Sequence, residues 1–246
     1  MKNTFGSSIS VTVFGESHGD CIGAVLDGLP AGIEIDRGFI SSQLEKRRPS
    51  GKISTSRAER DEFQIVSGCF NGKTCGTPLT IIIPNENTRS RDYDYGRARP
   101  GHADYTAAAR YGGFADMRGS GQFSGRLTAP LVFAGAVAKQ LLARRGIFVG
   151  AHICSINGIK DTCLEDSPLF RSGGESLLRA AAHRELPVLD EGAGERMREA
   201  IAEAKRNGDS LGGVIECAAT LRLASESPAP IRWKASFRAT VSRSRE

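Results

Sequence analysis

Ile9-Ser10-Val11-Thr12-Val13-Phe14-Gly15-Glu16-Ser17-His18-Gly19-Asp20-Cys21-Ile22-Gly23-Ala24-Val25-Leu26 is the stretch from which the fold can be read. Apolar residues alternate at Ile9, Val11 and Val13 and again at Ile22, Ala24 and Leu26, the period of half-buried strands, so two strands are predicted to run out and back. The polar loop between them carries an acid, a hydroxyl and an imidazole in Glu16, Ser17 and His18. Histidine is the side chain that titrates nearest neutrality, and flanking glycines let backbone come close to a ligand. A second loop repeats the theme in Arg99-Pro100-Gly101-His102-Ala103-Asp104, in a chain with 4 histidines. Taken alone, either loop is equally a tight turn whose histidine is satisfied by local backbone bonds.

Further elements follow outward from this hairpin. Asp36 is placed to cap a helix with Ile40 and Leu44 on one face, which delivers Lys46-Arg47-Arg48 to its end, where Pro49 stops it. Phe63, Ile65 and Ser67 alternate, and Leu79 to Ile83 is a short apolar run closed by Pro84, giving two more strands. Asn85 to Gly101 is a polar, arginine-rich loop. Asp104 is expected to cap a short helix through Tyr111, ended by Gly112-Gly113. A glycine-rich segment, Arg118 to Arg126, leads into a helix from about Thr128 to Arg145, whose Leu131, Gly135, Ala136 and Ala138 suggest a buried core helix. Strands are expected over Phe148 to Ile153 and Val214 to Ala219. Between them an amphipathic helix over Glu191 to Asn207 places Met197 and Ile201 on one face. The pattern is α+β.

Composition narrows the function classes. With 246 residues, 39% hydrophobic and 25% charged, the chain is an ordinary globular sequence with room for a sizeable core. No apolar run approaches the roughly 18 residues of a membrane span, and the first residues lack the apolar core of a signal peptide, so a cytoplasmic protein without a membrane partner is expected. The 6 cysteines are scattered without a Cys-x-x-Cys pair or a Cys/His cluster of zinc spacing. They are expected to be reduced and for the most part packing residues, and no metal is predicted.

The net charge of +5 gathers at the end: from Leu221 onward 6 basic residues face 2 acidic ones, leaving the rest nearly neutral. Composition breaks at the same place, because all 29 glycines precede residue 221. A basic tail that contacts nucleic acid is one reading of it.

Two arginine clusters adjoin the histidine loops. Arg47, Arg48, Lys52 and Arg57 form one, and Arg89, Arg91, Arg97 and Arg99 the other. Guanidinium forks bind phosphates and carboxylates bidentately, so the pair fits a small substrate with several negative charges, against the plainer reading of solvated charged faces. The segment Gly119 to Arg126 could present backbone N–H groups to a phosphate or an aromatic cofactor ring. It is neither a Walker loop nor a dinucleotide fingerprint.

In order, these pieces closely resemble the chorismate synthase family. The resemblance rests on Phe14-Gly15-Glu16-Ser17-His18-Gly19, Arg47-Arg48-Pro49, Gly72-Lys73-Thr74 with Gly76-Thr77-Pro78, Arg89-Ser90-x-Asp92-Tyr93, Arg99-Pro100-Gly101-His102-Ala103-Asp104, Phe123-Ser124-Gly125-Arg126 and Gly208-Asp209-Ser210-x-Gly212-Gly213, and covers residues 3–220. It implies a multilayer sandwich of sheets and helices, a homotetramer, and a carbon–oxygen lyase that eliminates phosphate from 5-enolpyruvylshikimate 3-phosphate to give chorismate. Reduced FMN is then the cofactor, with no net redox change, and NADPH a candidate external reductant. By motif, His18 would protonate the departing phosphate and His102 would act at the flavin. Ser17, Arg47, Arg48, Arg99 and Arg126 would hold the substrate, Gln122, Phe123 and Ser124 would contact FMN, and Arg47 and Lys52 would face the reductant.

This chain departs from the family pattern at Ser120, where a third glycine is usual and a negative φ would let a serine stand, and again after Thr220. Leu221 to Glu226, read one base over, can encode Ala-Pro-Gly-Ile-Gly-Glu, a family-like continuation. A frameshift after Thr220 is therefore expected, leaving 1–220 as an incomplete family domain and 221–246 as an unrelated basic tail, disordered or out of frame. An inactive fragment is the alternative that this expectation carries.

Overall fold

The computed structural model describes residues 2–48, 59–86, 97–164, 168–221 and 230–239. Lys52, Arg57, Arg89 and Arg91 lie outside them. The chain forms two compact units, one of Met1–Arg48 with Ala58–Gln140, the other chiefly Leu141–Glu246, and mixes helices with antiparallel sheets in an α+β fold.

In the first unit, β1 (Thr4–Phe5), β2 (Ser10–Gly15) and β3 (Cys21–Asp27) lead into α1 (Arg37–Arg47), then β4 (Gln64–Ser67), the small ribbon β5 (Cys69–Phe70) with β6 (Lys73–Thr74), and β7 (Leu79–Pro84). The sheet order is β1-β2-β3-β7-β4, antiparallel throughout. The predicted hairpin is β2 and β3, paired from Ser10 opposite Asp27 to Gly15 opposite Ile22. Its register sets Cys21 opposite Pro84, so the end of β7 arrives beside the first histidine loop.

Ile22, Ala24, Leu79, Ile81 and Ile83 of the sheet and Ile40 and Leu44 of α1 are all at most 1% exposed. Burying each such large side chain is worth about 1.5–3 kcal/mol, which holds α1 in place although it is short. The Asp36 side chain accepts the Phe39 N–H at 2.9 Å, which caps the N-terminus as the sequence predicts.

The short helix α2 (Asp104–Tyr111) stops at Gly112, but its cap differs from expectation. Ala103 takes the cap position and Asp104 is the first helical residue. The Asp104 carboxylate is drawn instead to Arg99, from which it accepts three bonds of 2.8–3.0 Å, because a charge-assisted fork outcompetes a single amide.

Two 3-10 turns, Arg118–Phe123 and Gly125–Leu127, precede α3 (Thr128–Ala143). Helix α3 is buried on one face only, through Ala129, Phe133, Ala136 and Val137. Phe133 meets Phe63 edge-on at 5.1 Å between ring centroids. Leu131, Gly135 and Ala138, residues on which the reading of a buried core helix rested, face outward within the single chain.

The second unit holds β8 (Ile147–Ile156), β9 (Ile159–Lys160), α4 (Pro168–Ala181), α5 (Glu191–Arg206), β10 (Leu211–Leu221) and β11 (Pro230–Ala239). Its sheet order is β11-β10-β8-β9. Met197 and Ala193 of α5 pack on Ile153 and Ile156 of β8 with Leu186 and Val188, and Ile201 lies against the same cluster. Helix α4 went unread in the sequence. Strand β11 pairs with β10 from Pro230 opposite Thr220 to Ala239 opposite Leu211, so ten residues of the segment set apart by composition run as a strand. All 6 cysteines are free thiols; Cys154 is buried, four are half-buried and Cys75 is exposed.

Candidate active site

The loop joining β2 to β3 is folded inward, with Ser17 1% and His18 5% exposed. It is held from across the unit by the glycine-rich turn: Ser17 N–H donates to the Gly121 carbonyl at 3.2 Å and Ser17 Oγ to the Gly119 carbonyl at 2.7 Å. Gly119, Ser120 and Gly121 take φ of 58°, 71° and 52° in succession. A Cβ on Gly119 would stand 2.4 Å from His18 Cδ2 and 2.6 Å from Ser17 Oγ. The lack of a side chain at Gly119 is what makes room for the His18 ring. Ser120 departs from expectation: its φ of 71° is positive, a conformation costing a non-glycine residue on the order of 1 kcal/mol. Its hydroxyl accepts from Arg99 Nη2 at 3.0 Å, which offsets part of that cost.

A second group of contacts runs from the histidine loop to the arginines. Asn85, at the end of β7, donates from its side-chain amide to the Glu16 carbonyl at 2.9 Å and the Gly19 carbonyl at 2.8 Å. Its amide oxygen accepts from Arg126 Nε at 3.0 Å. Arg126 is 7% exposed and also reaches the Pro84 carbonyl at 3.0 Å, Glu59 at 3.0 Å and Asp61. The other oxygen of Asp61 pairs with Arg47 Nη1 at 2.8 Å, and Arg47 Nε donates to Thr128 Oγ1 at 3.2 Å. Arg48 turns to the Arg60 carbonyl. The cleft of about 410 Å³ beside α1 is lined by Arg48 and Arg60 but also by Glu45, Asp61 and Glu62, so its walls carry no positive excess.

His102 behaves differently from His18. It is exposed, its N–H donates to the Arg99 carbonyl at 3.3 Å, and its Nδ1 lies 3.3 Å from the Pro100 carbonyl. The hydrogen bonds of Arg99, ahead of the opposing cost of burial, hold Asp104 below the usual carboxylate range. Asp116 is lowered in the same way by Arg118, with a smaller contribution from the field of His18. Phe123 is 38% exposed and lies 6.5 Å from the Tyr111 ring. Gln122 makes a long contact of 3.4 Å with Asn3, and Ser124 Oγ accepts the Arg126 N–H at 3.3 Å. Asn85 thus joins the loop that carries Ser17 and His18 to Arg126, Asp61 joins Arg126 to Arg47, and Arg99 is tied to Ser120. Asn85, Asp61 and Glu59 were missed by the sequence reading, and no local signal marks them.

A buried polar group in the second unit was missed as well. His152 on β8 lies between Asp161 at 3.0 Å and Glu216 of β10 at 3.1 Å, all three side chains fully buried. Asp161 also accepts the backbone N–H groups of Leu189 at 2.6 Å and Asp190 at 2.8 Å, and Glu216 that of Leu164 at 2.9 Å. Burial pulls the His152 pKa down, but the bonds to the two carboxylates outweigh it and leave it raised. Burial pushes Asp161 up, while His152 and the backbone donors hold it lowered on balance. Cys154 and Cys163, distant from one another in spacing rules, bring their sulfurs to 3.8 Å beside Glu216.

The family model for chorismate synthase matches residues 9–224. Curated relatives named chorismate synthase include those of Aeropyrum pernix, 44% identical over 89% of this chain and 56% of the relative, and of Sulfurovum sp., 43% identical over 89% and 58%. The relative from Thermococcus gammatolerans is 44% identical over 87% of this chain and 58% of its own length. A crystal structure of chorismate synthase superposes with a TM-score of 0.67 at 30% identity, covering 87% of this chain and 57% of the other. The chain therefore spans a little under three fifths of the length of these relatives. Among the described residues no helix is long and apolar enough to cross a membrane.

Proposed function

Because this chain belongs to the chorismate synthase family, we propose that it acts in the elimination of phosphate from 5-enolpyruvylshikimate 3-phosphate to give chorismate. The observation that carries the reading is the tie between the loop that holds the buried His18 and the buried Arg126: the Asn85 side chain donates to the Glu16 and Gly19 carbonyls of that loop and accepts from Arg126 Nε. A departing phosphate needs a proton donor, for which His18 is the candidate, and anion-binding groups, for which Arg47 and Arg48 at the end of α1 are the candidates.

In this reading His18 donates a proton to the leaving phosphate oxygen, and its contact with Gly119 keeps the imidazole in one orientation. Arg47 and Arg48, at the end of α1, meet the substrate's anionic groups. Arg99 and Ser17 shape the neighbouring backbone, and Arg126 anchors the cluster from below. His102, on the exposed loop, acts at the flavin.

The residues assigned to FMN fit an aromatic ring system: Phe123 keeps an open face, and a Cβ at Gly125 would meet nothing within 4 Å. Gln122, Phe123 and Ser124 would hold it. When bound, reduced FMN would supply electron donation that assists the carbon–oxygen cleavage and is returned, so that the reaction stays redox-neutral. NADPH as the external reductant, cytoplasmic location and a homotetramer belong to the same proposal.

The test is an anaerobic assay of phosphate release from 5-enolpyruvylshikimate 3-phosphate with reduced FMN. His18→Ala is expected to lower turnover by at least about tenfold, the low end for a general acid. Turnover at the parental rate would remove His18 from the role.

The chain divides, in this proposal, into a family domain over 1–220 and a segment over 221–246 in another reading frame. Supporting it are the loss of glycine and the rise of basic residues after Thr220. Sequencing the locus tests it: codons that do not spell the family-like alternate frame end the idea.

A further inference from the structure

Arg47 and Arg126 come from different elements, and one carboxylate joins them. Asp61 gives one oxygen to each guanidinium, is itself fully buried at the side chain, and sits at φ 54°. A non-glycine residue persists in that conformation only where its surroundings over-determine it. The two arginines differ in what remains to them. Arg126 is engaged at all three nitrogens, by Asn85 and Glu59 at Nε, Asp61 at Nη1 and Pro84 at Nη2, with 6% of its side chain exposed. Arg47 is bound through Nε and Nη1 and keeps 18% of its side chain exposed.

We propose that Asp61 is a positioning residue that, braced by Arg126, fixes the Arg47 guanidinium at the end of α1 in the orientation that meets an anionic substrate. This rests on the reading under the previous heading and redistributes its roles: Arg47 contacts the anion, and Arg126 acts through Asp61. Arginine carries much rotamer freedom, and holding its fork in place before binding removes that ordering cost from the binding step. The gain is of the size of one ordered long side chain, or about tenfold in affinity. Two carboxylates, Glu59 and Asp61, already balance the two guanidiniums, so the cluster contributes direction more than net attraction.

The test is Asp61→Asn, which keeps the shape but sets an amide donor against one of the two guanidiniums. With 5-enolpyruvylshikimate 3-phosphate and reduced FMN, KM is expected to rise about tenfold with kcat within threefold, the pattern of lost uniform binding. Arg47→Ala should raise KM similarly, and the double variant should be no worse than Arg47→Ala, because both remove one coupled interaction. Multiplicative effects of the two substitutions, or a fall in kcat with KM unchanged, overturn the proposal.

Hydrogen exchange of the Arg47 Nε–H, followed by NMR in the full chain without substrate, gives a readout independent of turnover. The exchange should accelerate several-fold in Asp61→Asn, and an unchanged rate overturns the positioning role. If the parental chain fails to bind or turn over the substrate, the reading of function falls. The Arg47 exchange then still decides whether Asp61 holds that side chain.

Discussion

Gly119→Ala places a methyl group where the His18 ring now stands. The ideal Cβ would lie 2.4 Å from His18 Cδ2, 2.5 Å from Nε2 and 2.6 Å from Ser17 Oγ, all well inside the 3.4 Å at which ordinary contact begins. Two costs follow. A side chain at φ 58° costs about 1 kcal/mol, and overpacking a buried contact costs about 1–3 kcal/mol. The stiffer unfolded chain of an alanine variant returns about 0.4–1 kcal/mol. The net expectation is a loss of about 1–4 kcal/mol, read from hydrogen exchange of the β2 and β3 amides.

Gly32→Ala is the control, since its φ of 81° carries the backbone cost while its Cβ would meet nothing within 4 Å. The difference between the two variants isolates the His18 contact and should exceed about 1 kcal/mol. Because His18 cannot keep its present orientation, turnover in the phosphate-release assay should also fall at least about tenfold. Equal losses in the two variants, within about 0.5 kcal/mol, with the His18 NMR titration unmoved, would refute the packing of the glycine turn on this histidine.

Two further outcomes follow from buried polar groups. Asn85→Ala removes three side-chain hydrogen bonds and takes from the Gly19 carbonyl its side-chain donor, while the Glu16 carbonyl keeps the Gly19 N–H, so a loss of about 1–3 kcal/mol is expected in denaturant unfolding, with lower turnover; a neutral variant would show that Asn85 does not tie the loop to Arg126. In the second unit, the raised His152 pKa contributes stability that is complete below the ordinary histidine value of 6.5 and is lost as pH rises through the raised value. Asp161 acts oppositely: its contribution is present above the ordinary 3.8 and is lost as pH falls through the lowered value. Amide protection in β8 and β10 should therefore weaken on both sides of a plateau around pH 4–6.5, and His152→Gln should abolish the alkaline arm; protection that stays flat from pH 6 to 10 contradicts the charged triad.

The legible parts of the fold were those written in local periodicity. The β2/β3 hairpin, α1 with its Asp36 cap, α5 with Met197 and Ile201 inward, and β10 all follow from alternation, helical spacing or capping chemistry within a few residues. Helix α4 was hidden because Gly173-Gly174 interrupts its pattern, although Glu175 and Arg179 pair one turn apart at 2.8 Å and Leu178 is fully buried. The one-sided burial of α3 was also hidden, since small and apolar residues occur all round it and only its neighbours decide which face is covered.

The candidate site divides along the same line. The amino-acid sequence by itself determined the two histidine loops, the arginines beside them and the family to which their order belongs, because residue identity and short spacing carry that information. Tertiary structure decided what each group touches. Asn85 joins the histidine loop to Arg126 only because β7 pairs with β3, and Asp61 joins Arg126 to Arg47 only because the turn before α3 meets the end of α1. His152 meets Glu216 by the register of two strands 64 residues apart. Such contacts depend on backbone registers and shared burial, which sum over a whole core and leave no trace in the few residues on either side of any one partner.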